Sequence, residues 1–194
     1  MTPPDQALLD DLTPGLTPSS MADADDADAW LSRRYYGGDL PAEAERELHL
    51  AGLHYCDSAL AETHLARAAA AAPGHRLVDL GHYKYFLYKA RLREALAYGE
   101  RMLDHASAGI GLNHSDWRQV TRRHADFDAI ELAPRYYLFT IKALGYLHLR
   151  LSHPAEGREL LEKVIELDPA DRIGARPLLA VLDRSESAQE DDES

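Results

Sequence analysis

Ten histidines and a single cysteine hold most of the chemical reactivity in this 194-residue chain. Helical metal sites place their ligands three or four residues apart on one face. The histidines stand at 49, 54, 64, 75, 82, 105, 114, 124, 148 and 153, and none of them pair at that spacing. Asp79 and His82 have the spacing of half a carboxylate-bridged di-iron motif, but its second copy and partner glutamates are missing from the sequence. Cys56 lacks any His-containing nucleophile signature, so it reads as a structural thiol, and being alone it can form no intrachain disulfide. The twelve glycines are scattered and form neither a phosphate loop nor a dinucleotide fingerprint. These residues predict no enzymatic activity, no cofactor and no metal site.

The charge distribution narrows the partners. Residues 1–40 hold eight Asp against Arg33 and Arg34, a net of −6, and residues 185–194 hold five acids and no base, a net of −5. Of the total of −12, only −1 is left for residues 41–184. The two ends are expected to be acidic and disordered, because stretches such as Thr13–Ser20 lack the apolar content to offset ordering entropy. Leu8, Leu9 and Leu12 could line one face of a short docking helix in the first of them. Without a broad basic face, nucleic-acid binding is disfavoured. The longest apolar runs, such as Ala68–Pro73, fall far short of the ~20 residues that span a bilayer. The start carries acids where a secretory signal would carry bases, so a reducing, cytoplasmic location is expected.

The elements that must position any site are helices. From Pro41 onward the chain shows helical periodicity and no sustained alternation of apolar with polar residues, which predicts an all-α domain over 41–184. Pro41 suits a first helical turn followed by Glu43, Glu45 and Glu47, and Asp57 is placed to cap the next helix, which stops at Pro73–Gly74. Three segments share a helix-turn-helix outline whose second helix opens on a small residue. These are Ala61, Leu65, Ala68 in 42–75; Ala95, Gly99, Met102 in 76–109; and Leu144-Gly145-Tyr146, then Gly157, Leu161, Val164 and Leu167-Asp168-Pro169 in 138–171. Ala61 and Ala95 lie 34 positions apart. The pattern resembles the tetratricopeptide repeat, an antiparallel helix pair that recurs every 34 residues. The resemblance implies a solenoid of about three pairs, with residues 172–184 as a terminal capping helix. An insert at 110–137 separates the last two pairs; it contains Trp117, Phe127 and Ile130, and Ser115 or Asp116 could cap a short helix within it. Trp117 is the insert's candidate recognition residue, against the simpler reading of a packed extra layer.

The resemblance further implies a concave groove lined by the first helix of each pair, which binds a segment of another protein. Carried over position by position, it gives Arg46, Leu50, Leu53 and His54 from the first pair, and Leu80, Lys84, Leu87 and Tyr88 from the second. The third contributes Phe139, Lys142, Tyr146, Leu149 and Arg150. Its bases and aromatics suit an acidic or carboxylate-ended segment. The chaperone-tail clamp of the family also needs asparagines, and the corresponding positions hold Leu50, Lys84 and Tyr146, and Glu47, Gly81 and Ala143. The expected function is therefore an adaptor or assembly factor. Tyr83–Lys89 and Arg135–Phe139 are similar to segments of small tetratricopeptide proteins encoded beside nitrogenase genes in bacteria. That similarity implies a role in metalloenzyme maturation, with a helical metal or cofactor handler as the rival reading. Self-association through the aromatic stretch or the insert also stays open.

Overall fold

The computed structural model describes residues 39–113, 115–129 and 131–192. The expectations for residues 1–38, including Leu8, Leu9 and Leu12, and for Ile130, lie outside them. Among the described residues there are seven α-helices, a 3₁₀ turn and no strand. They are α1 (Ala42–Leu53), α2 (Ser58–Ala71), α3 (Arg76–Tyr88), α4 (Leu92–Gly109), α5 (Leu132–Arg150), α6 (Pro154–Leu167) and α7 (Arg176–Asp192), with the 3₁₀ turn at Trp117–Gln119. The described residues fall into two compact units, one up to Gly81 and one from His82 onward, with the boundary inside α3.

In the first unit α1 packs on α2. Pro41 sits just before α1, and the Asp57 carboxylate accepts a hydrogen bond from the Leu60 amide at 3.1 Å, which caps α2. Gly74, with φ +67°, takes the left-handed conformation that turns the chain toward α3. Leu40, Ala44, Ala68, Ala72, Leu77 and Val78 form the core. Much of it is alanine, so the helices approach closely and bury little apolar area per residue.

The second unit is organised around α5. Every residue from Tyr137 to Gly145 is buried, as a helix must be when its apolar residues run round its whole circumference. α4 packs against one side of it and α6 against another, and α7 covers α6 as a terminal cap. Small residues mark the crossings. A Cβ added at Gly99 would stand 2.9 Å from Leu144 Cδ2, and one at Gly157 would stand 3.0 Å from the Gly145 carbonyl oxygen and run into Leu149. Leu161, fully buried, lies against Gly145 and fills the space those glycines leave.

The boundaries depart from expectation in two places. α5 begins at Leu132, six residues before the expected start of the third pair, with Pro134 in its first turn, where a proline costs no internal hydrogen bond. α7 runs on to Asp192, through most of the segment expected as a disordered acidic tail. Ser187 Oγ donates to the Asp183 carbonyl there at 2.9 Å, and alanine, glutamine and glutamate in that stretch favour helix.

Two substitutions probe the α5–α6 crossing from opposite sides. Leu161→Ala leaves a cavity and is expected to cost about 2–5 kcal/mol. Gly157→Val overfills the crossing and is expected to cost at least about 1–3 kcal/mol, despite valine's better helix propensity. Urea unfolding of both variants measures these losses, and a parent-like midpoint in either would contradict the packing described.

Candidate functional site

Four of the thirteen expected groove positions, Lys84, Leu87, Phe139 and Lys142, are buried. In α3, His82 to Leu87 are all buried, and Tyr88, 37% exposed, returns the end of the helix to the surface. Lys84 is therefore an interior residue and not part of an open face. On α5, Phe139 and Lys142 are buried with the rest of the central segment. The correction at Lys142 is the larger one. Its ammonium donates to the Ile173 carbonyl at 2.6 Å, which ties α5 to the loop before α7. Burial pushes it below the ordinary lysine range, with Asp171 acting in the opposite direction. The Asp168 carboxylate accepts from the Ile173 amide at 3.0 Å, so the two polar groups of one residue are held by two buried charged side chains. Lys142 thus anchors the cap.

The residues that do converge lie at the ends of α3 and α5. Arg150 is exposed, donates to the Tyr146 hydroxyl and places its guanidinium 5.6 Å from the centre of the Tyr146 ring. Tyr83 is buried. That burial, and then the nearby Tyr146 and Tyr88 hydroxyls, push its phenol above the ordinary range. Its ring meets Phe139 edge-on at 6.3 Å, which fixes α3 against α5 within this unit. Tyr88 and Tyr146 thus both lie near Tyr83, and Arg150 is bound to Tyr146. Their types suit partner recognition: tyrosine offers a broad ring with a polar tip, and arginine a planar donor fork.

In the first unit Arg46 is exposed and lies 3.4 Å from Glu47 Oε1. His54 closes α1, and its ring stacks on that of His64 with centroids 5.5 Å apart. His64 Nδ1 meets Glu47 Oε2 at 2.7 Å, with both side chains buried. Sequence reasoning missed this pair, because residues 17 apart are brought together only by the α1–α2 turn. The bond from His64 holds the Glu47 carboxyl below its usual range; burial opposes that shift, and Arg46 and Arg67 reinforce it.

The insert is pinned to the fold. The Asp116 side chain accepts from the Arg118 amide, as expected of a cap, while Val120 and Phe127 enter the core, the latter 5.9 Å from the Tyr137 ring. Lys163 donates to the Val120 carbonyl at 3.2 Å, Arg118 pairs with Glu159 at 2.7 Å, and Arg172 donates to the Asp128 carbonyl at 2.8 Å. Trp117 is half-buried, with the Arg118 guanidinium 4.2 Å from its ring centre. These contacts make the insert an extra layer on α6 and the loop after it.

Among the described residues no helix is long and apolar enough to cross a membrane. No group of three or more His, Cys, Asp or Glu there is placed to hold a metal ion. No family model matches the chain, and no solved structure matches it. It is 37% identical over 125 residues to the uncharacterized 19.8 kDa protein in the nifW 5′ region of Azotobacter chroococcum mcd 1. The match covers 63% of this chain and 69% of that one.

Two outcomes follow from the buried charges. Lys142→Met orphans the Ile173 carbonyl and should cost about 1–3 kcal/mol while keeping a helical spectrum, measured by urea unfolding. Because the folded state lowers the Glu47 pKa, the stability this group contributes is present above the ordinary carboxylate range and lost as pH falls through its folded value. Melting temperatures taken from about pH 6 to about pH 3 should fall less steeply in Glu47→Gln than in the parent.

Proposed function

Because the chain belongs to one family with the uncharacterized protein of the nifW 5′ region, we propose that it is a non-enzymatic accessory protein of nitrogen fixation that binds another protein. The observation carrying this reading is the cluster of Tyr88, Tyr146 and Arg150 at the ends of α3 and α5. These are recognition-prone side chains at the accessible ends of helices whose middle turns are buried. In tetratricopeptide-like arrays the first helices serve this purpose, and α3 and α5 are first helices here. The genomic setting of the relative supports a role in nitrogenase or other metalloenzyme maturation over a general scaffold. The partner is a protein or peptide segment, and Arg150 favours one with an acidic group.

The test is affinity capture with the full chain from cells grown under nitrogen-fixing conditions, followed by titration of the recovered partner. Tyr88→Ala combined with Arg150→Ala should weaken binding about 10- to 100-fold, as loss of interface tyrosine and arginine anchors commonly does. Its melting temperature should stay near that of the parent, since both positions are surface-accessible. A folded double variant that binds the partner as the parent does would refute this assignment of the face.

A further inference from the structure

The turn joining α5 to α6 brings two imidazoles together. His148 stands in the last turn of α5 and His153 caps α6, with ring centroids 5.6 Å apart and planes tilted by 45°. The loop between them is tight. The His153 amide donates to the His148 carbonyl at 2.9 Å, the Leu151 amide to the Leu147 carbonyl at 2.9 Å, and Ser152 takes the left-handed conformation with φ +63°. His148 Nδ1 is itself buried and has no hydrogen-bond partner.

That unpartnered nitrogen gives the site its sign. A neutral imidazole with its proton on Nε2 leaves only a lone pair at Nδ1, a tolerable acceptor without a donor. A protonated imidazole must carry N–H at both nitrogens, and Nδ1–H would then be a buried donor facing no acceptor. The charged groups around His148 come from each neighbouring element: Glu100 of α4, Glu156 of α6 and His153 of the turn. Burial and His153 disfavour the cation, the two glutamates favour it, and the balance holds His148 below its ordinary value. A folded state that keeps a histidine neutral has its full stability above the unfolded value of about 6.5 and loses it as pH falls toward the folded one.

The helices cannot slide to relieve a charge placed there. Gly145 and Gly157 already hold α5 and α6 at a separation that leaves no room for a Cβ at position 157, so the strain falls on the turn. We propose that the His148–His153 turn is an acid-sensitive latch, closed while His148 is neutral and opened when protonation leaves it with a buried, unmatched donor beside the His153 ring. Tyr146 and Arg150 sit on the same last turn of α5, so opening the latch loosens the segment that carries them. The latch rests on the turn's own geometry and on the groups around His148, and it stands whether or not that segment binds a protein.

The experiment uses the full chain and two readouts: histidine titration by NMR, and amide hydrogen exchange at about pH 7.5 and about pH 5.5 corrected for intrinsic rates. His148 is expected to titrate below about 6.5. The amides of residues 149–153, 155 and 156 should exchange faster at the lower pH, by up to about tenfold, while those in α4 change less. His148→Gln, which never charges, should abolish the acceleration. His153→Gln alters an exposed side chain, so folding is not at risk, and it should shrink the acceleration by removing the neighbouring imidazole that disfavours the His148 cation. The latch is overturned by a parent turn whose exchange does not respond to pH, by a His148 that titrates at or above its ordinary value, or by an unchanged response in His153→Gln.

Discussion

The close crossing of α5 and α6 at Gly145 and Gly157 is the contact on which the second unit depends. With no Cβ at either position the two backbones approach to within contact of each other's carbonyl groups, and Leu161 and Leu149 fill the flanks. That separation lets α5 be enclosed by α4 and α6 together, so nine successive residues of it can be buried. A larger residue at the crossing would push α6 outward. It would also open the seat of the insert, whose Val120 carbonyl and Arg118 guanidinium are bound to side chains of α6.

Enclosure of α5 also explains its charge. Its nineteen residues include no Asp or Glu, whereas α4 carries Glu94, Glu100 and Asp104 and α6 carries Glu156, Glu159, Glu162 and Glu166. A buried carboxylate would need a partner at every position, whereas lysine and arginine are long enough to carry their head groups elsewhere. Lys142 does so, reaching the Ile173 carbonyl. The lack of acids on α5 is therefore first a consequence of packing, and by itself it says little about the charge of a partner.

What could be read in the sequence follows from what is local. The small residues at 145 and 157, the apolar positions at 161 and 164, the cap at Asp57 and the cap at Asp116 each act over a few residues or within one helix pair, and each is found where its type and spacing put it. Burial of Lys84 and Lys142 could not be read in the same way. A residue on the first helix of a pair has the same local sequence whether its face is open or covered, and only the tertiary arrangement decides which. The Glu47–His64 bond is of that kind too, since both residues look like ordinary surface positions on separate amphipathic helices.

Recognition in the second unit then falls to the helix ends. Along α3 and α5 the interior turns are closed, and accessibility returns at Tyr88 on one and at Tyr146, Leu149 and Arg150 on the other. Arg150 does not hang free there: its bond and ring contact with Tyr146 hold the guanidinium in one orientation. An ordered arginine loses less entropy on meeting a carboxylate than a mobile one would. The buried ring of Tyr83, set edge-on to Phe139, lies near both Tyr88 and Tyr146. A small surface built this way depends on the inter-helix packing beneath it, so substitutions at Tyr83 or Phe139 reach the rim without touching anything bound to it.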